Sequence, residues 1–131
     1  MNLRYFTWEE FDEVVEKTPR PVAHELFPLP RGGLVYAVAL SHKFGLPLTS
    51  RASAKSIFID DIADSGRTAL EARIKYANNP IHCIFKKTRC KERGVFGIIE
   101  DDTDDWIVFP WENKDKAQED YEQYIAGKRN I

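Results

Sequence analysis

Two adjacent carboxylates, Asp60 and Asp61, close an apolar run, Ser56-Ile57-Phe58-Ile59, and lead at once into Ile62-Ala63-Asp64-Ser65-Gly66-Arg67-Thr68. The run has the composition of a short strand buried on both faces. A turn rich in small and hydroxyl residues then enters a helix. Backbone N–H groups of Ser65, Gly66, Arg67 and Thr68 can converge there on an anion, helped by the positive end of the helix. Gly66 allows close backbone approach, and Ser65 and Thr68 add hydroxyl donors. Asp60 and Asp61 would repel a bare phosphate. They make sense beside one if they hold ribose hydroxyls or a Mg²⁺ that bridges to the ligand. The plainer alternative makes Asp60 and Asp61 turn residues and Asp64 a helix N-cap.

The elements that must carry this loop can be read along the chain. Thr7 with Glu10 three residues later forms a capping box, and Trp8, Phe11, Val14 and Val15 recur at helical spacing until Pro19 and Pro21. Val22 to Leu29 reads as a strand closed by Pro30. Arg31-Gly32-Gly33 follows, and then an apolar segment from Leu34 that ends near Phe44 with Gly45 as its C-cap. Leu46-Pro47-Leu48 begins a short extended piece. A helix is expected from Ala69 to about Tyr76, strands over Ile81–Phe85, Val95–Ile99 and Ile107–Phe109, and helical composition over Lys114–Gly127. Strands alternating with helices imply a parallel α/β sheet. In such sheets ligands lie beyond the carboxyl ends of the strands, here the loops after Leu29 and Ile59.

No repeat, low-complexity stretch or linker divides the 131 residues, so a single domain over 1–131 is expected. Hydrophobic residues at 43% and charged residues at 31% fit a globular chain. A net charge of −2 argues against a general nucleic-acid binder, and no apolar run is long enough to span a bilayer. The start, MNLRYFTWEEF, lacks a signal core, which points to the cytoplasm. Cys83, Cys90 and His82 do not complete a zinc site, so the thiols read as buried or idle. The acidic run Asp101, Asp102, Asp104 and Asp105 reads as a solvated turn, with metal binding as the minor option. The basic run through Lys86, Lys87, Arg89, Lys91 and Arg93 reads as a solvated loop that could also neutralise phosphate.

IFIDDIADSGRT resembles the phosphoribosyl pyrophosphate (PRPP) signature of type I phosphoribosyltransferases. TWEEF, PRGGLVYAVALSHKFGL and DDWIVFPWE resemble, in order, the opening helix, first strand-loop-helix and closing base-binding segment of the bacterial xanthine-guanine group. The resemblance implies a mainly parallel twisted sheet flanked by helices and transfer of 5-phosphoribosyl from PRPP to a 6-oxopurine, with Mg²⁺. Asp64, Ser65, Gly66, Arg67 and Thr68 would cradle the 5′-phosphate. Asp60 and Asp61 would face the ribose hydroxyls and the metal, with Asp61 as metal ligand. Arg31 and Gly32 would contact pyrophosphate, where the family often has a cis peptide before the basic residue; here that bond is Pro30–Arg31. Asp64 would serve as general acid or base at purine N7. Lys87 would read the 6-oxo group, Trp106 would stack on the base, and Ile107 would present backbone groups to its 2-position. Trp106 on its own equally suits a core position. Glu112 falls where the family has an acid near pyrophosphate and metal. The implied partners are PRPP and a purine base or nucleoside monophosphate, in a homodimer or homotetramer.

One segment departs from the pattern. The family carries a long mobile loop that closes over PRPP, and here Leu46 to Lys55 must supply both a strand end and the whole connection. At roughly 3.3 Å per residue it cannot also form a lid. A noncatalytic nucleotide- or PRPP-binding protein on the same fold is therefore the alternative function.

Overall fold

The computed structural model describes residues 2–76 and 78–129, which form six strands and four helices among the described residues. Their contacts fall into two compact units, Met1–Asp12 with Thr103–Ile131, and Glu13–Asp102. No described helix is long and apolar enough to cross a membrane.

In the smaller unit β1 (Leu3–Tyr5) lies parallel to β6 (Trp106–Val108), with Arg4 opposite Ile107. Strand β1 was not expected, because its three residues LRY carry no alternation long enough to read. Phe6, Phe11, Phe109 and Trp111 pack together, with Phe109 and Trp111 stacked at 4.9 Å. Helix α1 (Trp8–Lys17) starts here on the expected capping box: Glu10 N–H donates to Thr7 Oγ1 and Thr7 N–H to Glu10 Oε1, both at 3.1 Å. Helix α4 (Lys114–Arg129) follows Asn113, whose Oδ1 accepts the Lys116 N–H at 2.9 Å.

The larger unit is built on a four-stranded sheet in the order β2 (Glu25–Pro28), β3 (Ser56–Ala63), β4 (Ile81–Lys87), β5 (Val95–Asp101), and every pairing is parallel. Helix α2 (Leu34–Phe44) packs on β2 and β3 through Tyr36, Ala37 and Leu40, all fully buried. Ala69 and Ala72 of helix α3 (Arg67–Lys75) join Phe27, Phe58, Ile81 and Cys83 in a buried cluster. Gly45 caps α2 at φ 68°, where its N–H donates to Ser41 O. Lys43 Nζ donates to the carbonyls of Val15, Glu16 and Thr18, placing a cation at the C-terminus of α1.

Strand limits differ from the sequence reading for reasons of pairing. The expected strand from Val22 begins only at Glu25, because its partner in β3 begins at Ser56. The run expected to end at Ile59 instead continues through both aspartates, with Asp60 opposite Cys83 and Ala63 opposite Lys86. Their backbone groups are satisfied by β4, so the carboxylates do not end the strand.

Leu46 to Lys55 is tied down away from the carboxyl end of β3. Leu48 bridges in parallel to Leu26. Ser53 N–H then donates to Ser56 Oγ, Ser53 Oγ to Glu25 Oε1, and His24 N–H to Lys55 O. Asn79 Nδ2 donates to the Ser53 and Ser56 carbonyls at 2.7 and 2.8 Å. These bonds gather at the start of β3. Asp64 lies beyond its far end, about 25 Å along a strand of this length.

Candidate functional site

A cleft of about 350 Å³ opens at the carboxyl end of β3, within the range of small-ligand sites. Its walls include Gly32, Asp60, Asp61 and every residue from Asp64 to Thr68. Asp64, Ser65 and Gly66 connect β3 to α3, and Gly66 takes φ 91°. That conformation suits glycine, and a side chain there would also meet Glu92 Cγ at 2.9 Å. The first-turn N–H groups of α3 have no partners within the helix and face the anion-favouring end of its dipole. Ser65 Oγ accepts the Arg67 N–H at 3.4 Å, a weak bond that a ligand oxygen can replace.

The second wall is the connection from β2 to α2. Leu29 N–H donates to Ile59 O at 2.8 Å, and the peptide bond Pro30–Arg31 is cis. Two glycines bring this connection against β3. A Cβ on Gly32 would stand 2.6 Å from Asp61 Oδ2, and one on Gly33 only 2.0 Å from Ile59 O. Arg31 is exposed beside the cleft, between Pro30 and Gly32, which line it. Gly33 was not among the expected site residues. Its constraint comes from a carbonyl on another strand, which local sequence does not display.

The cleft floor carries the electrostatic tension. Asp60 Oδ1 accepts the Asp61 N–H at 2.9 Å, and Asp61 Oδ1 accepts the Ile62 N–H at 2.7 Å. Burial, then the neighbouring Asp61 carboxylate, pushes Asp60 up to about 8, and burial also raises Asp61. A divalent cation on these oxygens would relieve both effects. No cluster of three or more His, Cys, Asp or Glu stands ready for a metal among the described residues. The two adjacent carboxylates fit the needs of Mg²⁺, which keeps several waters and binds through one or two carboxylates plus ligand oxygens. Both cysteines are free and buried, and burial pushes the Cys83 thiol up, away from thiolate character.

Asp64 stands at the rim, paired with the guanidinium of Arg89 through Nε and Nη2. The sequence placed Arg89 only within a basic run; the 25 residues separating the partners gave no local signal. Lys87 is elsewhere. It is 2% exposed, its Nζ lies 2.7 Å from Asp101 Oδ2, and it does not line the cleft. Asp101, 6% exposed, is therefore a buried ion-pair partner at the end of β5 and no part of a solvated turn. Asp102 and Asp104 are exposed. In the smaller unit Trp106 lies 5.0 Å from Tyr124, Ile107 is buried in β6, and Glu112 accepts the Phe109 N–H at 2.7 Å.

No protein-family model matches the chain. Solved structures do. A purine phosphoribosyltransferase from Pyrococcus horikoshii is 27% identical with a TM-score of 0.68, over 86% of this chain and 95% of the other. The xanthine-guanine-hypoxanthine phosphoribosyltransferase of Helicobacter pylori is 18% identical with a TM-score of 0.62, over 91% and 99%. A hypothetical protein from Neisseria gonorrhoeae with bound ppGpp is 15% identical with a TM-score of 0.65, over 90% and 94%. The last two speak to the fold alone. With the parallel sheet, the IFIDDIADSGRT loop at its carboxyl edge and these likenesses together, the chain has the fold of the type I phosphoribosyltransferases and is similar to purine-type members of that family.

Proposed function

We propose that this chain binds PRPP in the cleft at the end of β3 and transfers its 5-phosphoribosyl group to a 6-oxopurine, releasing pyrophosphate. The observation that carries the reading is the convergence of Gly32, the Asp60–Asp61 pair and the Asp64–Thr68 loop on one cleft. The backbone N–H groups of the loop hold the 5′-phosphate. Asp60 and Asp61 accept hydrogen bonds from the ribose hydroxyls, and Asp61, with Asp60 beside it, is the place for Mg²⁺. Bound there, the metal supplies charge neutralisation for the pyrophosphate leaving group. Arg31 and the Gly32 backbone draw pyrophosphate away from C1. Asp64 handles the proton at purine N7.

The assignment of Lys87, Trp106 and Ile107 to the base rests on the sequence resemblance. The ammonium of Lys87 is engaged by Asp101, so the phosphoribosyl half of the reading carries more weight. A second reading, binding without transfer, is favoured by the bonds that fix Leu46 to Lys55 at the start of β3, where the segment cannot close over the phosphate loop. Isothermal titration with PRPP and Mg²⁺ tests the shared part. Saturable 1:1 heat that vanishes with EDTA is expected, and no heat with either PRPP or a nucleoside monophosphate refutes both readings.

A further inference from the structure

The connection between β4 and β5, residues 88–94, carries no helix and lies along the phosphate loop as a strap. Cys90 Sγ and Glu92 Cγ stand 3.3 and 2.9 Å from where a Gly66 Cβ would be. Arg73 of α3 fastens the strap lower down, through Nη1 to Glu92 Oε2 at 3.3 Å and through Nη2 to the Arg93 carbonyl. Arg89 is thereby held beside the loop, with its guanidinium on Asp64.

The charges give that placement a use. Three carboxylates line the cleft, Asp60, Asp61 and Asp64, against one cation among the described lining residues, Arg67. The Arg67 side chain is 83% exposed and its Nε donates to Glu71 at 3.1 Å. A phosphate dianion on the Asp64–Thr68 loop therefore lacks a cation of its own, and the guanidinium touching that loop belongs to Arg89. The Arg89–Asp64 pair is half exposed, at 46% and 52%. Pairs so placed are held weakly, whereas a guanidinium matches phosphate bidentately and strongly.

We propose that Arg89 is a 5′-phosphate ligand held in reserve: it rests on Asp64 without ligand and passes to the phosphate when a phosphorylated ribose enters. The inference rests on the phosphoribosyl reading above and adds a ligand to it. The exchange also releases Asp64 for the base at the moment the cleft fills.

Calorimetric titrations with GMP and ribose 5-phosphate, and guanosine as the phosphate-free control, test it on the whole chain with Mg²⁺. Arg89→Gln is expected to weaken both phosphates by about 10- to 100-fold, the range for a charge-assisted hydrogen bond, and not to weaken guanosine. Arg89→Lys should restore most of the loss. Asp64→Asn removes the competitor, so it should tighten ribose 5-phosphate several-fold, and that gain should vanish in an Arg89→Gln background. Unchanged phosphate binding in Arg89→Gln overturns the proposal while leaving the parent reading intact. Weakening by Asp64→Asn to match Arg89→Gln also overturns it, because the pair would then be a structural clasp. A wild-type protein that binds none of the phosphates overturns both.

Discussion

Replacing Asp60 with Asn should stabilise the ligand-free protein at pH 8 and change it little at pH 5.5. Asp60 is 9% exposed, and burial with the Asp61 charge raises its carboxyl from 3.8 to about 8. Between those two values the folded state keeps a proton that the unfolded chain has released. Its contribution to stability is therefore complete below about pH 4 and is lost as the pH climbs to about 8, at up to about 1.4 kcal/mol per pH unit. From pH 5.5 to 8 the loss is about 3 kcal/mol, on the order of 10 °C in Tm for a chain this size. Asn keeps an Oδ1 to accept the Asp61 N–H, now at 2.9 Å, and has no charge to desolvate. Urea unfolding in EDTA at both pH values, for wild type and variant, reads the difference. Saturating Mg²⁺ at pH 8 should return most of the lost stability to the wild type and less to the variant. A wild type as stable at pH 8 as at 5.5, or a variant with the same slope, would mean that Asp60 does not hold its proton in the folded state.

Other substitutions probe the frame around the cleft. Gly33→Ala would place a methyl 2.0 Å from Ile59 O, so it should cost at least about 1–3 kcal/mol in urea unfolding and weaken PRPP binding as the loop shifts. Lys87→Ala strips the ammonium from buried Asp101 and should cost about 3–5 kcal/mol, with Lys87→Met/Asp101→Leu recovering most of it; a single variant costing under about 1 kcal/mol would contradict a structural pair. Thr7→Ala breaks the capping box and should lower stability by about 1 kcal/mol, measured by the same unfolding assay.

How far the sequence could be read follows from the range of each interaction. The capping box, the Gly45 cap and the Asp64–Thr68 turn are set by residues within a few positions, and they stand where local chemistry placed them. The helix after the loop begins two residues earlier than expected, a small error at a boundary with no capping side chain. Pairing between strands was less legible: β3 runs through its acids because β4 satisfies them, and β1 exists because β6 lies beside it. Contacts across long separations were hidden altogether. Gly33 against Ile59 O, Arg89 on Asp64 and Lys87 on Asp101 each depend on strand register, and no residue type announces them. The short Leu46–Lys55 connection was visible by length alone, while its anchoring by Asn79 needed the fold.

Transfer of the phosphoribosyl group frees pyrophosphate, so pyrophosphate release reads the proposed reaction itself. The assay combines PRPP, Mg²⁺ and a panel of guanine, xanthine, hypoxanthine, adenine, uracil and orotate, with Asp64→Asn as control. Release with a 6-oxopurine that Asp64→Asn abolishes is expected. Silence across the panel, from protein that still binds PRPP, would contradict transfer and leave a binding protein whose anchored Leu46–Lys55 segment cannot close the site.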